Sequence, residues 1–217
     1  MVNRENSLQG RAHGPRRARR RRARLFPLAL SLALAVVAAG CGLQTEQANS
    51  YISQASKNQE EAEAVLARVK NFSAEWEAIF NVPKITATQV NAASQLLQGR
   101  EQDLNALEAS FKKWARDLRR VLALNVEEKV KEYVRLKLKS VKCYAEYVTG
   151  YLRPIVKAYS GLLDQIATGR PIAEVNKVAT EITALVTDSV TKLAECLSAE
   201  KQADDYFTKN KVGQLAK

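Results

Sequence analysis

From Val90 to Val121 the chain places Val90, Ala93, Leu97, Leu104, Leu107, Phe111, Trp114, Leu118 and Val121 at spacings of three and four, with Arg100 the lone polar intruder. A sustained 3.5-residue period marks one face of a long helix that packs by supercoiling. The same rule runs earlier through Ile52, Ala55, Ala62, Leu66, Val69, Trp76 and Phe80, with Gln59 and Ser73 at the imperfect steps. A third stripe follows through Val130, Val134, Val141, Tyr144, Val148, Tyr151, Ile155, Leu162 and Ile166. The fourth consists of Val175, Val178, Ile182, Leu185, Cys196 and Ala203. No window alternates with the period of two that a half-buried strand requires.

Asn81-Val82-Pro83, Leu124-Asn125 and Thr168-Gly169-Arg170-Pro171 separate the stripes as turns. The pattern therefore predicts an all-α fold, an elongated antiparallel up-down-up-down four-helix bundle with coiled-coil-like packing over residues 51–210, with a tail at 211–217. Local signals agree: Asn125 with Glu128 resembles a capping box, Gly169 suits the left-handed position that ends a helix, and Pro171 fits a first helical turn. Pro154 does not, because inside the third segment it removes a backbone hydrogen bond and its ring opposes the carbonyl of Gly150. A kink is expected there, or two shorter helices.

Ahead of the stripes lies a different kind of segment. Basic residues up to Arg24 precede an uncharged run from Leu25 to Ala39, which leads into Gly40 and Cys41. As a helix the run reaches about 22 Å, short of the roughly 30 Å hydrocarbon core of a bilayer. The sequence around Cys41 resembles the lipobox of bacterial lipoproteins, with small residues at Ala39 and Gly40 and Ala38 where that family usually carries Leu. The resemblance covers residues 1–41 alone. It implies a signal peptide over 1–40, a lipid on the Cys41 sulfur, a lipidated tether over 41–50, and a protein held by that lipid on the outer face of the bacterial cell membrane. A cleaved soluble export product and an uncleaved signal anchor are the other readings.

The cleavage site also reapportions the charge. The formal net charge is +11, but nine of the 34 basic residues and one of the 23 acidic ones precede Cys41, which leaves 25 against 22. Arg16 to Arg24 has the composition of a nucleic-acid patch, yet an apolar export segment directly behind it makes the run topogenic, and no nucleic-acid partner is expected. His13 and Met1 are the only histidine and methionine. The segment from Cys41 onward lacks both, and with them the commonest general base and metal ligand. No phosphate loop or metal-ligand spacing appears either, so no enzyme, catalytic residue, metal or cofactor is expected.

Cys143 and Cys196 remain as a pair in an exported and therefore oxidising setting. Counting from Gly169, Cys143 is 26 residues back and Cys196 is 27 residues forward, so an antiparallel hairpin brings them level, and a disulfide is expected. Residues 112 to 142 hold eleven basic side chains against Asp117, Glu127, Glu128 and Glu132. In a bundle tethered at Cys41 the turn at Asn125 returns to the membrane. Lys112, Lys113, Arg116, Arg119, Arg120, Lys129, Lys131, Arg135 and Lys139 are thus candidates for contact with anionic lipid headgroups or an anionic envelope polymer. The competing reading is an ordinary solvated helix surface.

Tyr144, Tyr147, Tyr151 and Tyr159 are read as core-margin side chains in preference to an aromatic groove, Trp76 and Trp114 as core, and Arg100 as a register residue seeking a carboxylate on a neighbouring helix. The expected function is a membrane-anchored, non-enzymatic scaffold or interaction module for a protein partner the sequence does not name. The alternative is a ligand-binding or sensor bundle with a pocket near the tyrosines and Pro154. Self-association through exposed seams stays open as well.

Overall fold

The computed structural model describes residues 44–82 and 84–212, and among them finds helices and turns without a strand. The order is α1 (Thr45–Lys70), α2 (Phe72–Phe80), α3 (Ala87–Leu122), α4 (Glu128–Tyr147), a π-helical turn (Val148–Leu152), α5 (Arg153–Ala167) and α6 (Ile172–Lys209). The leader, Cys41 included, lies outside the described residues, as does Pro83 of the first turn. None of the described helices is long and apolar enough to cross a membrane.

The helix ends follow local chemistry. Thr86 and Gln89 form a capping box at the start of α3, where the Gln89 side-chain oxygen accepts the Thr86 backbone N–H at 3.2 Å. Arg119 and Arg120 sit in its last turn, complementing the helix dipole. Gly169 takes φ +66° and closes α5: its N–H reaches the Ile166 carbonyl at 3.2 Å while the Arg170 N–H reaches that of Gln165 at 3.0 Å. Without a Cβ that backbone geometry carries no steric penalty.

α3 is the centre of the packing. It lies against α1, α2, α4, the π-turn and α5, whereas α6 approaches α4, the π-turn and α5. Of the α3 stripe, Val90 is half-buried and every later member from Ala93 to Val121 is buried. Pairs across helices join Asn58 to Asp117 and Arg68 to Asp103, Tyr144 to Phe111 and Arg153 to Glu108, and Lys137 to Asp204 and Cys143 to Cys196. In each set the residue number rises on one helix as it falls on the other.

Three departures from the sequence pattern have physical causes. The first segment breaks at Asn71, where the side chains of Phe72 and Trp76 turn in to meet Tyr159 at ring distances of 4.8 and 4.7 Å. Pro154 is accommodated upstream, by the π-turn: the Arg153 N–H bonds back to the Val148 carbonyl, so the helix passes through the proline with one extra residue. That residue shifts the register, which buries Leu152 and leaves Tyr151 half-exposed. Finally, the helix begins at Thr45, so residues 45–50 of the expected tether are helical, and Val212 of the expected tail is buried.

Candidate functional site

A layer of buried polar side chains crosses the core where α1, α3, α4 and α6 meet. Lys137 of α4 is 5% exposed, with its ammonium 2.8 Å from Asp204 and 3.8 Å from Glu200, both on α6. Glu200 accepts the Tyr144 hydroxyl at 2.7 Å on one oxygen and the Gln59 amide at 2.7 Å on the other. The same Gln59 amide reaches Glu63 at 2.7 Å. At this level Asp117 is wholly buried, accepting Asn58 Nδ2 at 2.9 Å, Arg116 Nε at 3.1 Å and Arg120 at 3.4 Å. Ser140, one turn past Lys137, is also fully buried.

Electrostatics here follow from burial. Loss of water raises the Glu200 carboxyl above its usual value, opposed by the Tyr144 hydrogen bond and by Lys137 and seconded by Glu63 and Asp204. Burial likewise raises the Tyr144 phenol well above its usual range, reinforced by Glu200, and that of Tyr133, reinforced by Asp204 and Glu200. Tyr144 is therefore a fixed hydrogen-bond donor. A charged group buried among satisfied partners specifies one register, because any slip leaves a charge unpaired. The layer thus latches the C-terminal half of α6 onto α1 and α4.

The disulfide lies just above the latch. Cys143 and Cys196 are bonded, with Cα atoms 5.3 Å apart, as the count from Gly169 anticipates. Beside it Lys192 bridges Glu146 at 3.3 Å and Glu195 at 3.2 Å.

At the end nearest this layer, the residue before α1 meets the α3–α4 turn. The Gln44 N–H donates to the Asn125 carbonyl at 2.8 Å, and the Asn125 N–H donates to the Gln44 side-chain oxygen at 3.0 Å. The first described residue is thereby clamped to the α3–α4 turn. Around that turn Lys112, Lys113, Arg116, Arg119, Arg120, Arg135 and Lys139 are exposed, and Lys129 and Lys131 half-exposed. Lys137, counted with them in sequence, belongs to the core instead. The guanidinium of Arg120 also lies 5.3 Å from the ring centre of Tyr51 on α1.

The remaining candidates are structural in placement. Trp76, Trp114, Tyr144, Tyr147 and Tyr159 are buried. Arg100 binds Glu75 of α2 at 2.8 Å and Asp103 at 2.8 Å. Arg153, just before the proline, spans to Glu108 at 2.8 Å, Glu101 at 3.1 Å and Asn105 at 2.8 Å, tying α5 to α3. An open groove of about 480 Å³ runs between α3 and α5, floored by Leu97, Val156 and Leu163 and rimmed by glutamines, serines and carboxylates. None of the four tyrosines lines it. Among the described residues no group of three or more His, Cys, Asp or Glu is placed to hold a metal ion.

Sequence reasoning missed Asn58, Lys137, Ser140 and Glu200. A signal existed for Lys137: it fills the gap between Val134 and Val141 in the third stripe. Compared with protein-family models, curated proteins and solved structures, the chain matches none.

Proposed function

We propose that this chain is an exported lipoprotein, anchored through lipid on Cys41 to the outer face of the bacterial cell membrane, and that it acts there as a non-enzymatic helical scaffold or interaction module. The observation that carries the reading is the lipobox-like segment ending at Cys41, set directly before the first described helix. Helix α1 starts at Thr45, four residues after the cysteine of the lipobox-like segment. A lipid there leaves almost no free tether.

On this reading the helices form an up-down-up-down bundle with coiled-coil-like packing: α1 with α2 as the first member, α3 the second, α4 through α5 the third and α6 the fourth. The opposed numbering of the cross-helix pairs supports the alternation, and the buried positions of α3 at spacings of three and four support the packing. A non-enzymatic role is supported by the lack of histidine after His13.

The test is fractionation of cells expressing wild type and Cys41→Ser. The wild type is expected in membranes as an acylated species, and the variant in the soluble exported fraction or as an unprocessed precursor. Equal membrane retention of a processed Cys41→Ser chain would refute the lipid anchor.

A further inference from the structure

The corner made by the start of α1 and the α3–α4 turn combines two features of separate origin. One is the clamp between Gln44 and Asn125, which fixes the entry of the chain beside the turn. Two residues, Gly42 and Leu43, separate Cys41 from Gln44, and the three steps span at most about 11 Å. The other is a set of cations that outnumbers its neighbouring carboxylates. Arg116 and Arg120 share the single carboxylate of Asp117, Lys129 pairs with Glu127, and Arg135 with Glu128 and Glu132. Lys112, Lys113, Arg119, Lys131 and Lys139 make no ion pair among the described residues. Lys209 and Lys211, exposed and likewise unpaired, reach the same end, because Phe207 of α6 packs on Tyr133 near the start of α4 at 5.0 Å.

Position decides what such a set meets. Arg119 and Lys131 each lie one helical turn from the α3–α4 loop, about 5 Å along their axes, whereas Lys112, Lys113 and Lys139 stand about 15 Å back. A surface charge acts over roughly 8 Å at physiological salt. With a lipid on Cys41 and Gln44 held at the turn, Arg119 and Lys131 are the unpaired cations nearest the bilayer surface, and the others, about two screening lengths back from the loop, are largely screened from it.

We propose that this corner is a binding surface for anionic phospholipid headgroups, with Arg119 and Lys131 its principal contacts and the Gln44–Asn125 clamp the device that holds it at headgroup level. The proposal rests on the anchor at Cys41 argued above. Its chemistry is that of a polybasic patch beside a lipid anchor: the lipid holds the protein at the membrane, and the electrostatic contact adds to that attachment and sets the domain's orientation on the surface. It also fixes which end of the bundle faces outward, namely the loops before α3 and after α5.

The test uses residues 41–217 carrying Cys41→Ser, since the described core is built wholly from residues within 45–212. Flotation is measured with phosphatidylglycerol-containing and pure phosphatidylcholine vesicles, at low and high salt. Binding is expected with the anionic vesicles only, and it weakens as salt rises. Arg119→Gln with Lys131→Gln should lower partitioning about 25-fold, roughly fivefold per cation. Lys157→Gln with Lys177→Gln, which removes two exposed lysines of α5 and α6, should leave it unchanged.

Binding indifferent to anionic lipid, or equal losses in the two variants, would overturn the proposal. So would retention on a polyanionic resin without vesicle binding, which assigns the corner to a soluble polymer. The anchor is judged separately, by the acylation state of the native protein. An acylated native chain whose soluble form ignores vesicles sinks the corner alone, and vesicle binding by a chain that is never acylated sinks the anchor alone.

Discussion

α3 and α6 have nearly the same length, 36 and 38 residues, yet α3 buries eleven side chains whereas the described side chains of α6 that are buried are Ile182, Ser189, Cys196 and Ala203. Neighbours account for the difference. α3 is surrounded on most sides, so ordinary apolar packing holds it. α6 meets α4, the π-turn and α5, and the four buried residues form one thin line at intervals of seven. Half-buried side chains such as Val178, Leu185, Leu193 and Phe207 add partial apolar contact, and individual bonds supplement it: the disulfide at Cys196, the Lys137 salt bridges and the Tyr144 hydrogen bond to Glu200. One helix is held by area, the other by less area and by rivets.

The largest effect should come from removing a rivet that leaves charge behind. Lys137→Ala strands Glu200 and Asp204 partly buried without their cation and should cost about 3–5 kcal/mol in urea unfolding. Adding Glu200→Gln to Lys137→Met should recover much of that loss, which simple loss of packing would not allow. Leu107→Ala, at a wholly buried α3 position, should cost about 2–5 kcal/mol, while Leu193→Ala on half-buried α6 should cost clearly less. Equal costs would erase the distinction between the two helices.

Reducing the disulfide should remove about 2–4 kcal/mol, and hydrogen exchange should then accelerate in α6 before α3. Uniform acceleration would mean that the bridge acts on the whole fold and not on α6. A smaller effect is pH-dependent. The folded-state pKa of Glu200 is raised above 4.5 by burial, so its ionised form costs stability, and acidification through that raised value toward 4.5 relieves the cost. Wild type should gain stability relative to Glu200→Gln as pH falls through this window, and parallel pH profiles would remove Glu200 as the cause. Smallest of all, Thr187→Ala on the exposed face of α6 should change stability by less than about 0.5 kcal/mol.

The same contrast explains how far the sequence could be read. A helix held by area announces itself, and the α3 stripe from Ala93 to Val121 is buried as its periodicity predicts, Arg100 included. The hairpin count from Gly169 was enough to pair Cys143 with Cys196, because helix rise is constant. Rivets are harder to see. Asn58, Asp117 and Lys137 look like solvent-facing polar residues until a partner from another helix is opposite them, and partners are a property of the assembled core. The π-turn was half legible: Pro154 signalled an irregularity, but the inserted residue that exchanges Tyr151 for Leu152 depends on where the chain chooses to widen. The clamp of Gln44 on Asn125 joins residues 81 positions apart and carries no sequence pattern at all.

The proposed membrane role turns on Cys41, and the most direct measurement is the intact, non-reduced mass of the native protein extracted from membranes. A mass equal to residues 41–217 plus acyl groups, less two hydrogens, is predicted, and it reads the anchor and the Cys143–Cys196 bridge together. A full-length or unacylated mass would contradict it, removing the lipid that sets the Asn125 corner against the bilayer.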